Sequence, residues 1–530
     1  MKRANSKGPH KTATQCFYCA KRMAVLLCTS LILEFVAPES VFCADDGSAD
    51  LPALWAAQQA AASAPTDNAM PGIPQMWVAQ KAMASPGPEN ATLAEPPAWG
   101  AKKSYIIPAF EIIGWELMLN QFDRHFLACC DYNSNLSTIR QNLHGGWVVD
   151  SDGFTVNQLG HPYGGSMYFG FARSSGLGFG ESMGYAFAGS ALWEIAGEQT
   201  PPSKNDQIMT TLGGSFLGES LFRMSNLILE NGDGAPSDWR EASAAAVSPT
   251  VAFNRAAFGD RFHGVFDSHS PEYYSRFQAG GSSTTQNIQG SSTNVQRNEA
   301  LLDYSLDYGL PGKPGYTYTR PFDYFNFQAI ASSADGLESV NTRGLLVGKE
   351  YKAGETYRGV WGLYGTYDYF APQLFRVSST GLSIGTTGQW GVNSPVQLQG
   401  TGLLGAGYTA VGTINDAANS TDNHYGVSPQ ALLALRFIFG DTVSLDLTAR
   451  EYFVTSLAGG ATDGHDNIVR ADASLTWRIY KQQAIALKYL VTRRDETTSA
   501  LGAMTQSRGT IGIFYTFLGR DRFGAVDWLD

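Results

Sequence analysis

Residues 469–479 read VRADASLTWRI. Val469, Ala471, Ala473, Leu475, Trp477 and Ile479 alternate strictly with Arg470, Asp472, Ser474, Thr476 and Arg478. Successive side chains of a β-strand point to opposite faces, so this stretch has one oily face and one charged face. The same period of two returns in 443–450 (VSLDLTAR) and in 510–517 (TIGIFYTF). Working outward, about ten segments repeat it: 322–333, 340–352, 356–370, 374–390, 396–412, 426–439, 442–455, 467–480, 483–494 and 507–518, with 301–309 as a further candidate. Many exceed the roughly five or six residues of a soluble strand and reach the ~9–11 that cross a bilayer when tilted.

The polar face carries charges of both signs: Arg436, Asp446, Arg450, Asp472, Arg478 and Lys488. Opposite charges on one face suit the lumen of a transmembrane barrel. Tyr367, Tyr369, Trp390 and Tyr480 lie near strand ends, where aromatic residues form interfacial girdles. Composition agrees. Of 530 residues only 16% are charged, 12% are aromatic and 58 are glycine, and mean hydropathy is −0.16. Such aromatic content excludes a disordered chain. No apolar run of about 18 residues follows residue 44, which excludes a multi-span helical membrane protein. The net charge of −11 argues against a nucleic-acid partner. The expected fold is an α+β membrane protein: an antiparallel transmembrane β-barrel of about 10–12 strands over 301–518, preceded by a glycine-rich helical domain. The alternative is a soluble periplasmic β-sandwich that buries its oily faces against one another.

The N-terminus reads as an export signal over 1–44. Lys2, Arg3, Lys7, Lys11, Lys21 and Arg22 precede an apolar stretch from Met23 to Phe42, then Cys43 and Ala44. Met23 is an alternative start. Residues 45–100, rich in alanine and proline, read as a flexible linker. Cys129 and Cys130 are the cysteines beyond the signal, and adjacent cysteines rarely bridge each other. The polar tract within 263–300 reads as a linker or surface loop. Residues 519–530 form a tail after the last strand.

Between them, 101–262 has helical and loop character. In NQLGHPYGGS (157–166), Pro162 is expected to push His161 out of helical geometry. A helix over 180–199 would gather Gly180, Gly184, Ala188, Ala191, Glu194 and Glu198 on one side, a face suited to close packing. Ser203, with Asp206 three residues on, reads as the cap of a second helix over about 204–229. The stretches GWVVDSDGFTVNQLGHPYGGSMYFGFAR (146–173), GSALWEIAGEQTPPSKND (189–206), LGGSFLGESLFRMS (212–225) and SPTVAFNR (248–255) together resemble the bacterial family called domain of unknown function 3943, over about 110–255. That resemblance implies a secreted Gram-negative envelope protein and supplies no catalytic residues.

The polar residues singled out here are Asn157, His161, Arg173, Glu194, Glu198, Asn205, Asp206 and Arg223. His161, Glu194, Glu198 and Asp206 are the catalytic candidates. The structural reading pairs Glu194 and Glu198 with Arg173 or Arg223 and makes Asp206 a helix cap. No Glu-x-x-His motif or zinc-type cysteine spacing occurs, so neither a metal nor a cofactor is expected. Ser166 lacks the glycine frame of a nucleophile elbow. The functional expectation is an outer-membrane barrel with a helical plug or periplasmic cap, structural or transport-related. Its partners would be outer-membrane lipid and a small solute or lipid, with the protein a monomer. The alternative is an enzyme acting on lipid or acyl chains through His161.

Overall fold

Twelve strands alternate in direction and close on themselves, in the order β1-β12-β11-β10-β9-β8-β7-β6-β5-β4-β3-β2. The computed structural model describes residues 103–528 apart from 128–129, 151, 231–235, 289–294, 335, 372–374, 393, 415–420, 459–463 and 499–501. The expected signal over 1–44, the expected linker over 45–100 and the side chains of Cys129 and Cys130 lie outside the described residues. The strands are β1 Tyr273–Ile288, β2 Val295–Tyr308, β3 Phe325–Ser332, β4 Gly336–Ala353, β5 Tyr357–Phe370, β6 Phe375–Trp390, β7 Val396–Ile414, β8 Thr421–Phe439, β9 Val443–Ala458, β10 Gly464–Tyr480, β11 Gln483–Thr498 and β12 Gly502–Leu518. The barrel therefore begins at Tyr273, and most of the polar tract is a hairpin rather than a linker. Closure also rules out the sandwich. The oily faces of β10, β11 and β12 point outward, with Trp477, Ile485, Leu487, Ile511, Ile513 and Phe517 exposed.

Ion pairs identify the inner face. Arg276 of β1 meets Asp446 of β9 at 2.9 Å, Arg436 of β8 meets Asp307 of β2 at 3.0 Å, and Arg508 of β12 meets Glu338 of β4 at 3.1 Å. Arg450 of β9 pairs with Asp368 of β5, and Lys488 of β11 with Asp303 of β2. None of these strand pairs is adjacent in the barrel, so the bonds cross the interior. Asp472 lines the same space, and Arg478 stacks near Phe523 at one mouth. The cavity left between Arg276, Asp307, Arg436, Asp446, Arg450 and Asp472 is about 80 Å³, room for a few waters.

Both mouths are filled by side chains. Near the β5–β6 connection, Phe370, Phe375, Val377, Val411, Tyr452, Val454 and Ile468 form an apolar cluster. At the other end the tail folds back. Phe523 and Val526 pack on Tyr274, Leu310, Ile438 and Leu518, and Gln389 and Gln399 donate to the carbonyls of Val526 and Gly524 at 2.6 and 2.7 Å. These glutamines face inward, so the tail enters the lumen.

Eight α-helices precede the barrel among the described residues: α1 Ile106–Phe122, α2 Leu136–His144, α3 His161–Ser174, α4 Phe179–Leu192, α5 Lys204–Ile208, α6 Gly214–Glu230, α7 Asp238–Val247 and α8 Pro249–Phe258. Caps account for several starts. Asn135 accepts from Ser137 and Thr138 at α2, and Glu181 accepts from the backbone of Gly178 at α4. None of the described helices is long and apolar enough to cross a membrane.

These helices occupy neither the lumen nor a mouth. Asp368 faces inward, so its neighbours Tyr367 and Tyr369 face outward. The Tyr367 hydroxyl donates to the carbonyl of Gln158 at 2.6 Å, and Ser220 of α6 bonds Thr342 of β4, also on the outer face, at 2.6 Å. A Cβ added at Gly365 would stand 2.4 Å from the Phe216 ring. The helical domain therefore packs against the outer wall of the barrel, and the expected plug or cap is corrected. The small-residue face of α4 is not the packing face either, since Gly180, Gly184 and Ala188 are exposed. Along α1, Ile106, Phe110, Ile113, Leu117 and Met118 are exposed too, giving this domain an uncovered oily face.

Candidate functional site

Among the described residues four helical segments carry a wide π-turn; one, Asp123–Leu127, follows α1, and the other three lie at or near one polar cluster. The π-turn Val156–Gly160 leads straight into His161. Trp193–Gly197 contains Glu194. Met209–Gly213 follows Asp206 by one short turn and carries Thr210. Single π-turns recur at functional sites because they re-aim side chains that a regular helix would point elsewhere. They also correct the reading of Pro162. His161 is helical (φ −62°, ψ −48°), and Pro162 follows it directly after the π-turn, at the start of α3. Gly165 and Gly214 let α3 cross the start of α6 almost backbone to backbone; a Cβ at Gly165 would fall 1.9 Å from the Thr210 carbonyl oxygen.

This crossing sets His161 beside the 203–210 segment. Its Nε2 is 3.8 Å from Asp206 Oδ2, and its Nδ1 is 3.3 Å from Thr210 Oγ1. Glu194 is 3% exposed, and one of its oxygens accepts from the Ser203 backbone at 2.7 Å. The other, Oε1, has no hydrogen-bond partner among the described residues. Donor atoms of His161, Glu194 and Asp206 all lie within 4.8 Å of one another. Glu198 is held slightly apart by Trp193 Nε1 at 2.7 Å and Thr200 at 3.1 Å. Ser203 caps α5 as the sequence suggests, accepting from the Asp206 backbone at 3.2 Å.

Asp150 joins from the preceding loop. Asn157 and Asn205 donate to its Oδ1 at 2.6 and 3.0 Å, and both amides also reach the Tyr425 hydroxyl of β8, at 3.1 and 3.2 Å. Tyr425 faces outward, since Arg436 on the same strand faces in. The cluster thus lies where the helical domain meets the barrel wall.

Burial governs its charges. It pushes Glu194 up to about 9, reinforced by Glu198, and pushes Asp206 well above the usual carboxylate range, reinforced by Asp150. Glu198 rises and Asp152 reaches about 6, each chiefly through burial. His161 is lowered, because burial outweighs the nearby acids. Burial also pushes Asp150 up, but hydrogen bonds with Asp206 and Asn205 bring it below its ordinary value. The arginines expected to balance Glu194 and Glu198 are elsewhere. Arg173 and Arg223 both bind Glu219, at 2.7 and 2.8 Å, and Arg223 also binds Asp323 at 2.9 Å. Ser166 donates to the Tyr163 carbonyl at 2.6 Å, a bond within its own helix.

Asn157, His161, Glu194, Glu198, Asn205 and Asp206 are therefore brought together, while Arg173 and Arg223 belong to a separate structural ion-pair group. The sequence reading missed Asp150, Asp152, Thr210 and Tyr425. The Asp-x-Asp spacing at 150–152 was the available signal; nothing local marks Tyr425.

The fold defines a closed antiparallel barrel that carries a helical domain on its flank. Residues 146–250, the part that holds the cluster, match the family described as Domain of unknown function (DUF3943). The barrel is similar in outline to solved outer-membrane barrels. The NanC porin is 6% identical, with 44% of this chain and 98% of that one covered and a TM-score of 0.23. The outer membrane channel DcaP of Acinetobacter baumannii is 9% identical, with 46% and 96% covered and a TM-score of 0.23. The translocator domain of the autotransporter NalP from Neisseria meningitidis is 13% identical, with 46% and 88% covered and a TM-score of 0.22. Scores this low carry no argument about function, and the barrel is read from its own strand order. None of the curated proteins compared matches the chain.

Proposed function

We propose that this protein is an outer-membrane β-barrel that works as a scaffold and not as a conduit, holding on its lipid-facing wall a helical domain that carries the chemistry. The observation that bears this reading is the filled lumen: cross-barrel ion pairs at mid-height, an apolar cluster at one mouth and the tail at the other. A barrel closes all its backbone hydrogen bonds within itself, so it spans lipid without a partner. Its exposed belt (Trp361, Ile384, Leu404, Leu475, Trp477, Ile513) suits outer-membrane lipid as the surrounding medium. The exposed apolar side of α1 extends that surface into the helical domain. On this reading the protein is a monomer and passes no small solute.

Two measurements test it. Outer-membrane fractions should contain the protein, with heat-modifiable migration on gels; recovery in the soluble periplasm would overturn the membrane assignment. In planar lipid bilayers the folded protein should show no steady conductance; a stable open channel would restore the transport reading.

A second reading, an enzyme acting on lipid or acyl chains, is favoured by the polar cluster. His161 stands beside Asp206, and Glu194 keeps a free oxygen, next to a wall that faces lipid. Release of fatty acid from phospholipid vesicles by the wild type and not by H161A would support it.

A further inference from the structure

We propose that His161, Glu194 and Asp206 bind one divalent transition-metal ion, with zinc as the probe of choice. This rests on the cluster alone and holds whether or not the barrel conducts.

The first support is the donor set. One imidazole and two carboxylates from three separate segments place donor atoms within 4.8 Å of one another. A zinc or manganese ion bound at ~2.0–2.2 Å needs donors ~3–4 Å apart, which the 3.8 Å His161–Asp206 separation already meets. Thr210 engages His161 Nδ1, which leaves Nε2 facing the carboxylates. Zinc-binding histidines are oriented in this way by a partner on the other ring nitrogen.

The second support is unsatisfied polarity. Among the described residues Glu194 Oε1 has no hydrogen-bond partner although the residue is 3% exposed, and Asn157 Oδ1 has none although that residue is 0% exposed. A buried acceptor left unpaired is costly, and a metal ion removes the cost for a carboxylate by direct bonding. The third support is charge. Asp150, Asp152, Glu194, Glu198 and Asp206 surround one histidine, and among the described residues no lysine or arginine forms an ion pair with any of them. The buried arginines of this domain, Arg173 and Arg223, are instead held by Glu219, away from the cluster. A cluster of five acids around one histidine, with no lysine or arginine paired to them among the described residues, suits a cation from outside.

Imidazole with carboxylates selects zinc, manganese or iron over calcium and magnesium, which prefer more oxygen ligands in a larger shell. Glu198 and Asp150 lie close enough to adjust the charge around such an ion without binding it.

The experiment uses the full chain, folded in detergent, stripped with chelator and checked for heat-modifiable migration. Zinc is titrated calorimetrically into the wild type, H161A and E194Q. The expected result is one equivalent bound by the wild type beyond whatever both variants bind. The affinity at that site should fall about 100-fold or more in each variant, at least the loss that removing an outer hydrogen-bond partner causes. E194Q preserves shape and guards against misfolding in H161A. A cobalt-loaded wild type should show visible absorption bands that E194Q lacks. Equal zinc binding by all three proteins would overturn the proposal, as would binding of calcium or magnesium in preference to zinc.

Discussion

Removing Asp446 tests how the lumen is filled. Asp446 is 7% exposed and accepts from Arg276 Nη1 at 2.9 Å and from Arg436 Nε at 2.6 Å. In D446A, Arg436 keeps Asp307 at 3.0 Å, but among the described residues Arg276 keeps only the Ser305 hydroxyl, at 3.1 Å, as a hydrogen-bond partner. An uncompensated buried guanidinium follows, and breaking a buried pair in this way costs about 3–5 kcal/mol. R276M leaves Asp446 bound to Arg436, so its cost should stay near that of one charge-assisted hydrogen bond, about 1.5–3 kcal/mol. The double variant removes both the stranded charge and its partner. It should be more stable than D446A, with the two changes coupled by about 2 kcal/mol or more. The assay is reversible urea unfolding in detergent or lipid, followed by tryptophan fluorescence and gel migration. If D446A lies within about 1 kcal/mol of wild type and the changes simply add, the arginines are solvated. The lumen would then be a wet channel, and the scaffold reading would fail.

Three further outcomes follow from named contacts. In G365L the new side chain meets the Phe216 ring, where even a Cβ would be 2.4 Å away; overpacking of about 1–3 kcal/mol should loosen α6 and speed proteolysis of the helical domain while barrel migration persists. Unchanged protease resistance would mean the helices do not pack on this wall. Burial pushes Glu116 up to about 9, so the fold holds a proton that the unfolded chain loses above about 4.5. Stability of the helical domain should therefore be full at low pH and erode as pH climbs from about 5 towards 9. E116Q, a mimic of the protonated form, should flatten that slope, and parallel profiles from pH 6 to 9 would count against it. Finally, Y425F removes the hydroxyl shared by Asn157 and Asn205. It should cost about 1–2 kcal/mol in docking of the helical domain, read as earlier local unfolding by hydrogen exchange over residues 150–210.

Alternation in 443–450, 469–479 and 510–517 determines by itself that these residues are long two-faced strands, because the side-chain period of a strand is a local property. The same pattern shows that Arg436, Asp446, Arg450 and Lys488 share the polar face. It does not reveal β1, whose outward residues from Ala279 through Gly281, Ser283 and Thr285 are small or polar. That strand exists because β2 and β12 supply a hydrogen-bonded ladder on both sides.

Nor does alternation tell what covers an oily face. Trp361 and Tyr367 lie on the same face of β5, yet one is exposed and the other lies under the helical domain. Only the tertiary packing distinguishes lipid from protein as the cover. The cluster shows the same division. Cap signals mark Ser203 and Asp206 locally, but other buried polar partners are chosen across long sequence distances: Arg173 by Glu219, 46 residues on, and Asn157 by Tyr425, 268 residues on. Electrostatic pairing depends on distance in space, which the chain settles only once α3, α6 and the barrel wall have come together.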